Sequence, residues 1–317
     1  MTEFDLIRRY FTRAAPSALL GVGDDAALLQ VGAGNVLAVS TDMLVSGTHF
    51  LSDADPYMLG HKTLAVNLSD MAAMGATPRW ATLAVALPSA DEVWLERFSA
   101  GFFALADQYG VELVGGDTTR GPLNLSVTIF GEVPAQRALR RSGAQIGDEV
   151  WVSGNLGDAA LALAHIKNHI ALTVEELSAC APALHLPRPR VVLGLALRGI
   201  ANSAIDVSDG LLGDLGHILD ASQVAAEIDF ARLPVSAILS AYLQQPLARQ
   251  CVLSGGDDYE LCFTSPAMRH TEVLNIGTRL GLPLACIGRI VAGRGCVVHD
   301  ASGNLIDVES GGYDHFR

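Results

Sequence analysis

Six short clusters place carboxylates beside glycine or a hydroxyl residue: GDDAA from Gly23, STD from Ser40, NLSD from Asn67, GGDTT from Gly115, DVSD from Asp206 and GGDD from Gly255. Most lie near the ends of apolar runs such as NVLAV, VELV and SAI, and strand ends are where α/β proteins assemble sites. Converging carboxylates repel and raise one another's pKa unless cations neutralise them. Oxygen-only donors suit a hard ion such as Mg²⁺ better than zinc. The chemistry these residue types fit is therefore a magnesium–polyphosphate site. Taken singly, each cluster has a plainer reading as a helix N-cap or a turn. Six of them in a chain with only 17% charged residues favour the joint reading.

Standard phosphate motifs are missing. GVGDDA at Gly21 is the nearest dinucleotide-type match, and two aspartates at that turn would repel a pyrophosphate unless metals bridged them. Gly60-His61-Lys62-Thr63 lacks the upstream glycine spacing of a Walker loop. A nucleotide is therefore expected to be held largely through metal ions on aspartates, with two Gly-Gly turns allowing close backbone approach.

The elements that must position these clusters alternate. Phe4, Ile7 and Phe11 predict a short amphipathic helix, and ALLQV and NVLAVST predict strands. Asp55-Pro56 opens the next helix and Gly75 closes it. On it, Asn67 and Asp70 share a face. WATLAVAL reads as a strand, Asp91 to Tyr109 as a helix, and VELVGG and LNLSVTIFGEV as strands. From Pro134 to Gly147 the chain turns polar and basic, which predicts a boundary between domains 1–135 and 136–317. The second half offers strands at EVWVSG, SAIDV, AAEIDF, YELCFT, LACIGRI and GCVVHD. Helices are expected near Asp158 to Lys167, at Arg190 to Arg198, from Asp209, and around Met268 to Leu280. The class is mixed α/β.

At 317 residues two domains are expected. Hydrophobic residues make up 50%, which suggests a buried subunit interface. The net charge of −13 disfavours nucleic acid, since no basic footprint is available to release counterions. No run reaches the length of a membrane span and the N-terminus has no apolar signal region, so a cytoplasmic protein is expected. The five cysteines include no C-x-x-C pair and read as reduced structural thiols.

In their order from Gly23 to Cys262, GDDAA, STDMLVSGTHF, NLSDMAAMGATP, GGDTTRG, IDVSDGL and SGGDDYELC resemble the thiamine-monophosphate kinase family of the PurM-like ATP-binding superfamily. The resemblance covers nearly the whole chain. It implies an N-terminal α/β domain whose strands pair across a homodimer into a barrel, a C-terminal α/β domain, and Mg²⁺-dependent transfer of the ATP γ-phosphoryl group to thiamine monophosphate. By position it implies Mg²⁺ ligands at Asp25, Ser40, Thr41, Asp42, Asp70, Asp117, Asp206 and Asp209. ATP contacts would fall at Gly116, Asp117, Arg141 and Ser208, and substrate contacts at His49, Asp257 and Tyr313. Asp42, Asp70, Asp117 and Arg141 would carry catalysis. The family commonly has Glu where this chain has Asp257. Rival readings are another PurM-like enzyme of the aminoimidazole-ribonucleotide synthetase type, a metal-dependent phosphohydrolase, and a non-catalytic nucleotide-binding regulator.

Overall fold

The computed structural model describes residues 2–306. The chain divides into two compact units, the first formed by residues up to Met71 with Ala76–Gln136, the second by Ala72–Gly75 with the residues from Arg137 on.

The first unit runs α1 (Glu3–Leu6), β1 (Asn35–Val45), α2 (Pro56–Ala73), β2 (Thr77–Leu87), α3 (Glu92–Tyr109), β3 (Glu112–Arg120) and β4 (Asn124–Pro134). Its sheet has the order β1-β4-β2-β3, with β4 antiparallel to both β1 and β2, and β3 parallel to β2. The alternation in LNLSVTIFGEV is realised in β4, where Leu125, Val127, Ile129, Gly131 and Val133 are buried and the residues alternating with them are not. Asp55 caps α2 by accepting from the Tyr57 and Met58 N–H groups at 2.9 and 3.1 Å, and Asp91 caps α3 the same way. The two helices cross with their backbones in contact. A Cβ on Gly60 would lie 2.0 Å from the Phe98 carbonyl oxygen, and one on Gly101 would lie 1.9 Å from that of Tyr57.

One expected strand is absent. ALLQV, Ala27 to Val31, lies in an irregular segment between glycine clusters, joined only by an isolated bridge between Leu20 and Leu28. None of its residues is buried, so the apolar run has no face to pack and no ladder to join. The predicted N-terminal helix is split: α1 stops at Leu6 and a π-helical turn follows over Ile7–Phe11, so Leu6, Tyr10 and Phe11 are buried while Phe4 is exposed.

The second unit contains β5 (Asp148–Ser153), α4 (Asp158–Ile166), α5 (Val174–His185), α6 (Val191–Leu197), β6 (Ser203–Val207), α7 (Leu211–Ser222), β7 (Ala225–Asp229), α8 (Ala237–Tyr242), α9 (Pro246–Ser254), β8 (Glu260–Pro266), α10 (His270–Leu280), β9 (Leu284–Val291) and β10 (Gly295–His299). The sheet order is β10-β7-β9-β5-β8-β6. Among the described residues of this sheet only β10 and β7 pair in parallel. Val150, Val152, Ile205, Val207, Leu215 and Ile218 belong to its buried core. Among the described residues all five cysteines are free thiols, and no helix is long and apolar enough to cross a membrane.

Candidate functional site

In the first unit the STD and NLSD clusters meet at β1. Ser40 donates its hydroxyl to Asp70 Oδ2 at 2.5 Å, and the Asp42 N–H donates to Asn67 Oδ1 at 3.3 Å. Asn67 is itself fixed through its Nδ2, which donates to the Thr63 carbonyl at 3.1 Å. Asn67 and Asp70, three residues apart on one face of α2, thus serve two neighbouring positions of β1. Ser40 and Asp42 share rows with buried Ile129 and Val127, on the side of the sheet that packs its core.

Thr41 and Asp117 fall on the other side. The Thr41 hydroxyl lies 2.9 Å from that of Thr128, on rows that alternate with those of Ser40 and Asp42. Asp117 occupies the row of Ala84, Ser126 and Met43, so its parity matches Thr41. GGDTT, expected as a turn, lies inside β3. Gly116 has φ +151°, and a Cβ there would lie 1.9 Å from the Leu83 carbonyl oxygen. Gly116 is needed for close pairing of β3 with β2 beside a register shift at Ala81/Thr82. Asp25 lies exposed in the irregular segment before β1. His49 closes the turn after β1, where its Nδ1 accepts from the Val45 N–H at 3.0 Å. That bond places the ring proton on Nε2.

In the second unit, Asp206 is buried at the end of β6, and Ser208 and Asp209 form the turn into α7. One buried side chain organises this turn: Asp214 Oδ2 accepts from the N–H groups of Ser208 and Asp209 at 3.0 and 3.1 Å. Burial, reinforced by the neighbouring Asp206 carboxylate, pushes the Asp214 carboxyl up to about 7. The SGGDDYE segment docks on the same turn, since the Asp257 N–H donates to the Ser208 carbonyl and the Tyr259 N–H to that of Val207, both at 2.8 Å. Asp257 and Tyr259 both have positive φ, +70° and +50°, and the Tyr259 hydroxyl donates to Asp257 Oδ1 at 3.0 Å. Between them, Asp258 accepts from the Gly157 N–H at 2.9 and 3.0 Å, and burial holds its carboxyl well above the usual range. Below this turn, Arg190 forms a two-pronged pair with buried Glu260, whose Oε2 also accepts from the Ser153 hydroxyl at 2.5 Å.

Arg141 stands beside the start of β6, where the adjacent Arg140 carbonyl accepts from the Ala204 N–H at 2.9 Å. The Asp206–Asp209 turn closes the other end of that strand. Tyr313 lies outside the described residues. Sequence reasoning passed over Asp214 and Tyr259. A signal for Asp214 was present: it shares the apolar face of α7 with Leu211, Leu215 and Ile218, where an unpaired charge would not be placed.

The family described as AIR synthase related protein, N-terminal domain, matches residues 23–133, and its C-terminal counterpart matches residues 145–301. The chain is thus a two-domain, mixed α/β, PurM-like protein of the AIR synthase related class. Within that class it belongs to the thiamine-monophosphate kinase family, and it is an enzyme. The thiamine-monophosphate kinase of Escherichia coli is 49% identical over 318 residues, covering 99% of this chain and 98% of that protein. The crystal structure of thiamine-monophosphate kinase from Stenotrophomonas maltophilia is 50% identical with a TM-score of 0.85, covering 96% of each chain. A structure of AaThiL complexed with AMPPCP and TMP is 32% identical with a TM-score of 0.79, covering 99% of this chain and 96% of that one.

Proposed function

We propose that this enzyme transfers the γ-phosphoryl group of ATP to thiamine monophosphate, giving thiamine diphosphate and ADP by direct in-line transfer that requires Mg²⁺. What supports the reading is the full-length similarity to kinases of that name, one of them complexed with TMP and with AMPPCP, a β,γ-methylene analogue of ATP. The donor set fits the metal: Asp25, Ser40, Thr41, Asp42, Asp70, Asp117, Asp206 and Asp209 offer oxygen alone. When bound, Mg²⁺ would neutralise the phosphate charge.

Each residue then has its own task. Asp42 and Asp70 are held in place by Asn67 and Ser40, while Asp117 comes from the tightly paired glycine segment of β3. Gly116, Ser208 and Arg141 contact ATP, Gly116 and Ser208 through backbone that nearby groups already fix. His49, with its proton on Nε2, donates to thiamine monophosphate. Asp257 faces the cationic part of that substrate, its carboxylate oriented by Tyr259. Tyr313 completes that contact through its aromatic face. The acceptor phosphate has a second pKa of about 6 and is largely dianionic at neutral pH, so no general base is needed; transfer is direct because no described residue has the surroundings of an activated nucleophile. The exposed sheet face carrying Leu37, Val39 and Met43 pairs with a second subunit to form a barrel.

The test is to incubate the protein with ATP, thiamine monophosphate and Mg²⁺, then separate the products. Thiamine diphosphate and ADP are expected in equal amounts, and neither after chelation. ADP and phosphate without thiamine diphosphate would replace this reading with a phosphohydrolase.

A further inference from the structure

We infer that Glu149, His270 and Cys286, on the second unit, form a binding site for one transition-metal dication of the zinc class. The three residues come from β5, the first turn of α10 and β9, and their ligand atoms lie within 4.8 Å of one another. His270 Nδ1 is 2.9 Å from both carboxylate oxygens of Glu149. A β-bulge brings the cysteine in. Val150 pairs with Gly288 but Trp151 pairs with Cys286, so Ile287 is the extra residue. Without that shift Trp151 would pair with Ile287, and the Cys286 side chain would turn to the opposite face from Glu149 and Trp151. The Trp151 ring, 4.9 Å from that of His270, walls one side.

The donors are a thiol, an imidazole and a carboxylate, each half-buried, so an ion can reach them from solvent. Thiolate and imidazole select borderline ions over Mg²⁺, and three protein ligands leave a fourth position for water. This site is thus chemically separate from the oxygen-only clusters. Burial and the adjacent Glu149 charge hold the Cys286 thiol in its protonated form. An incoming dication neutralises that charge, the S–H proton leaves to solvent, and a metal–sulfur bond forms with no change of oxidation state. The plainer alternative is a Glu149–His270 ion pair with Cys286 as a bystander, and it predicts no metal affinity.

The experiment is a titration of the full chain, stripped with chelator, with Co²⁺ alone, following the near-ultraviolet thiolate-to-cobalt charge-transfer band. A single equivalent should saturate the band, Zn²⁺ should displace it, and excess Mg²⁺ should not. C286S should abolish the band. H270Q and E149Q, at partly exposed positions, should each weaken Co²⁺ binding by about tenfold or more while leaving the circular dichroism unchanged. These two variants carry the test if C286S does not fold. Absence of the band in the native chain, its persistence in C286S, or native affinity in both H270Q and E149Q would overturn the assignment.

Discussion

Asp42 and Asp117 lie one row apart in register, yet the pleat assigns them to opposite sides of the sheet. If both serve phosphoryl transfer, they do so from different directions, and neither can stand in for the other. Asp42→Asn, Asp70→Asn and Asp117→Asn should therefore each lower kcat by about 100-fold, with unchanged circular dichroism. Steady-state assays reading above one-tenth of native turnover in all three would remove them from the metal site. Tyr259→Phe deletes the hydroxyl that orients Asp257. It should raise KM for thiamine monophosphate by about three- to tenfold, the effect of losing one hydrogen bond, and leave KM for ATP nearly unchanged. Asp214 supplies a pH effect in the metal-free protein. Its folded carboxyl is raised from the ordinary 3.8 to about 7, so the unfolded chain gives up that proton first. The associated stability is complete below 3.8 and falls as pH rises towards 7. Denaturant melts across that range should show the decline, and Asp214→Asn should flatten it. The charges themselves were legible in the sequence. Their partners were not, because the backbone bonds that dock SGGDDYE on the Val207–Ser208 turn join segments far apart in the chain.

At the scale of elements, α2 and α3 were legible from the residues that cap them. Asp55-Pro56 and Asp91 open α2 and α3 as their chemistry requires. The same signal before α5, where Thr173 and Glu176 cap each other, was present and passed over. Bulges were not legible, since the shifts at Ala81/Thr82 and Val150/Trp151 depend on which strand lies alongside. Gly116→Ala should break the close pairing of β2 with β3 and cost about 3 kcal/mol or more, which thermal unfolding will measure. Arg190→Met strands the buried Glu260 carboxylate and should cost about 3–5 kcal/mol. The double variant R190M/E260M should recover much of that loss, since no lone charge remains. An additive double variant would show that the pair does not act as a unit.

For the molecule as a whole, the alternating strands and helices foretold a mixed α/β class, because burial periodicity is a local property. The topology of the six-stranded sheet, with one parallel pair among antiparallel ones, joins strands far apart in the chain and has no local signature. Subunit pairing through the open face of the first sheet is tested by substitution. Val39 and Met43 are each 54% exposed, and V39K/M43K should shift sedimentation from a dimer to the 33.3 kDa monomer. A native chain that already sediments as a monomer at micromolar concentration would reject the pairing.

β1 has a consequence for biogenesis. It is an edge strand of eleven residues, and from Asn35 to Thr41 it contains no proline, lysine or other charge that would discourage another strand from adding to it. A newly synthesised chain is therefore open to edge-to-edge aggregation until that strand is covered. Slow synthesis at low temperature should favour soluble protein, fast synthesis should favour inclusion bodies, and a single lysine at position 37 should raise the soluble fraction.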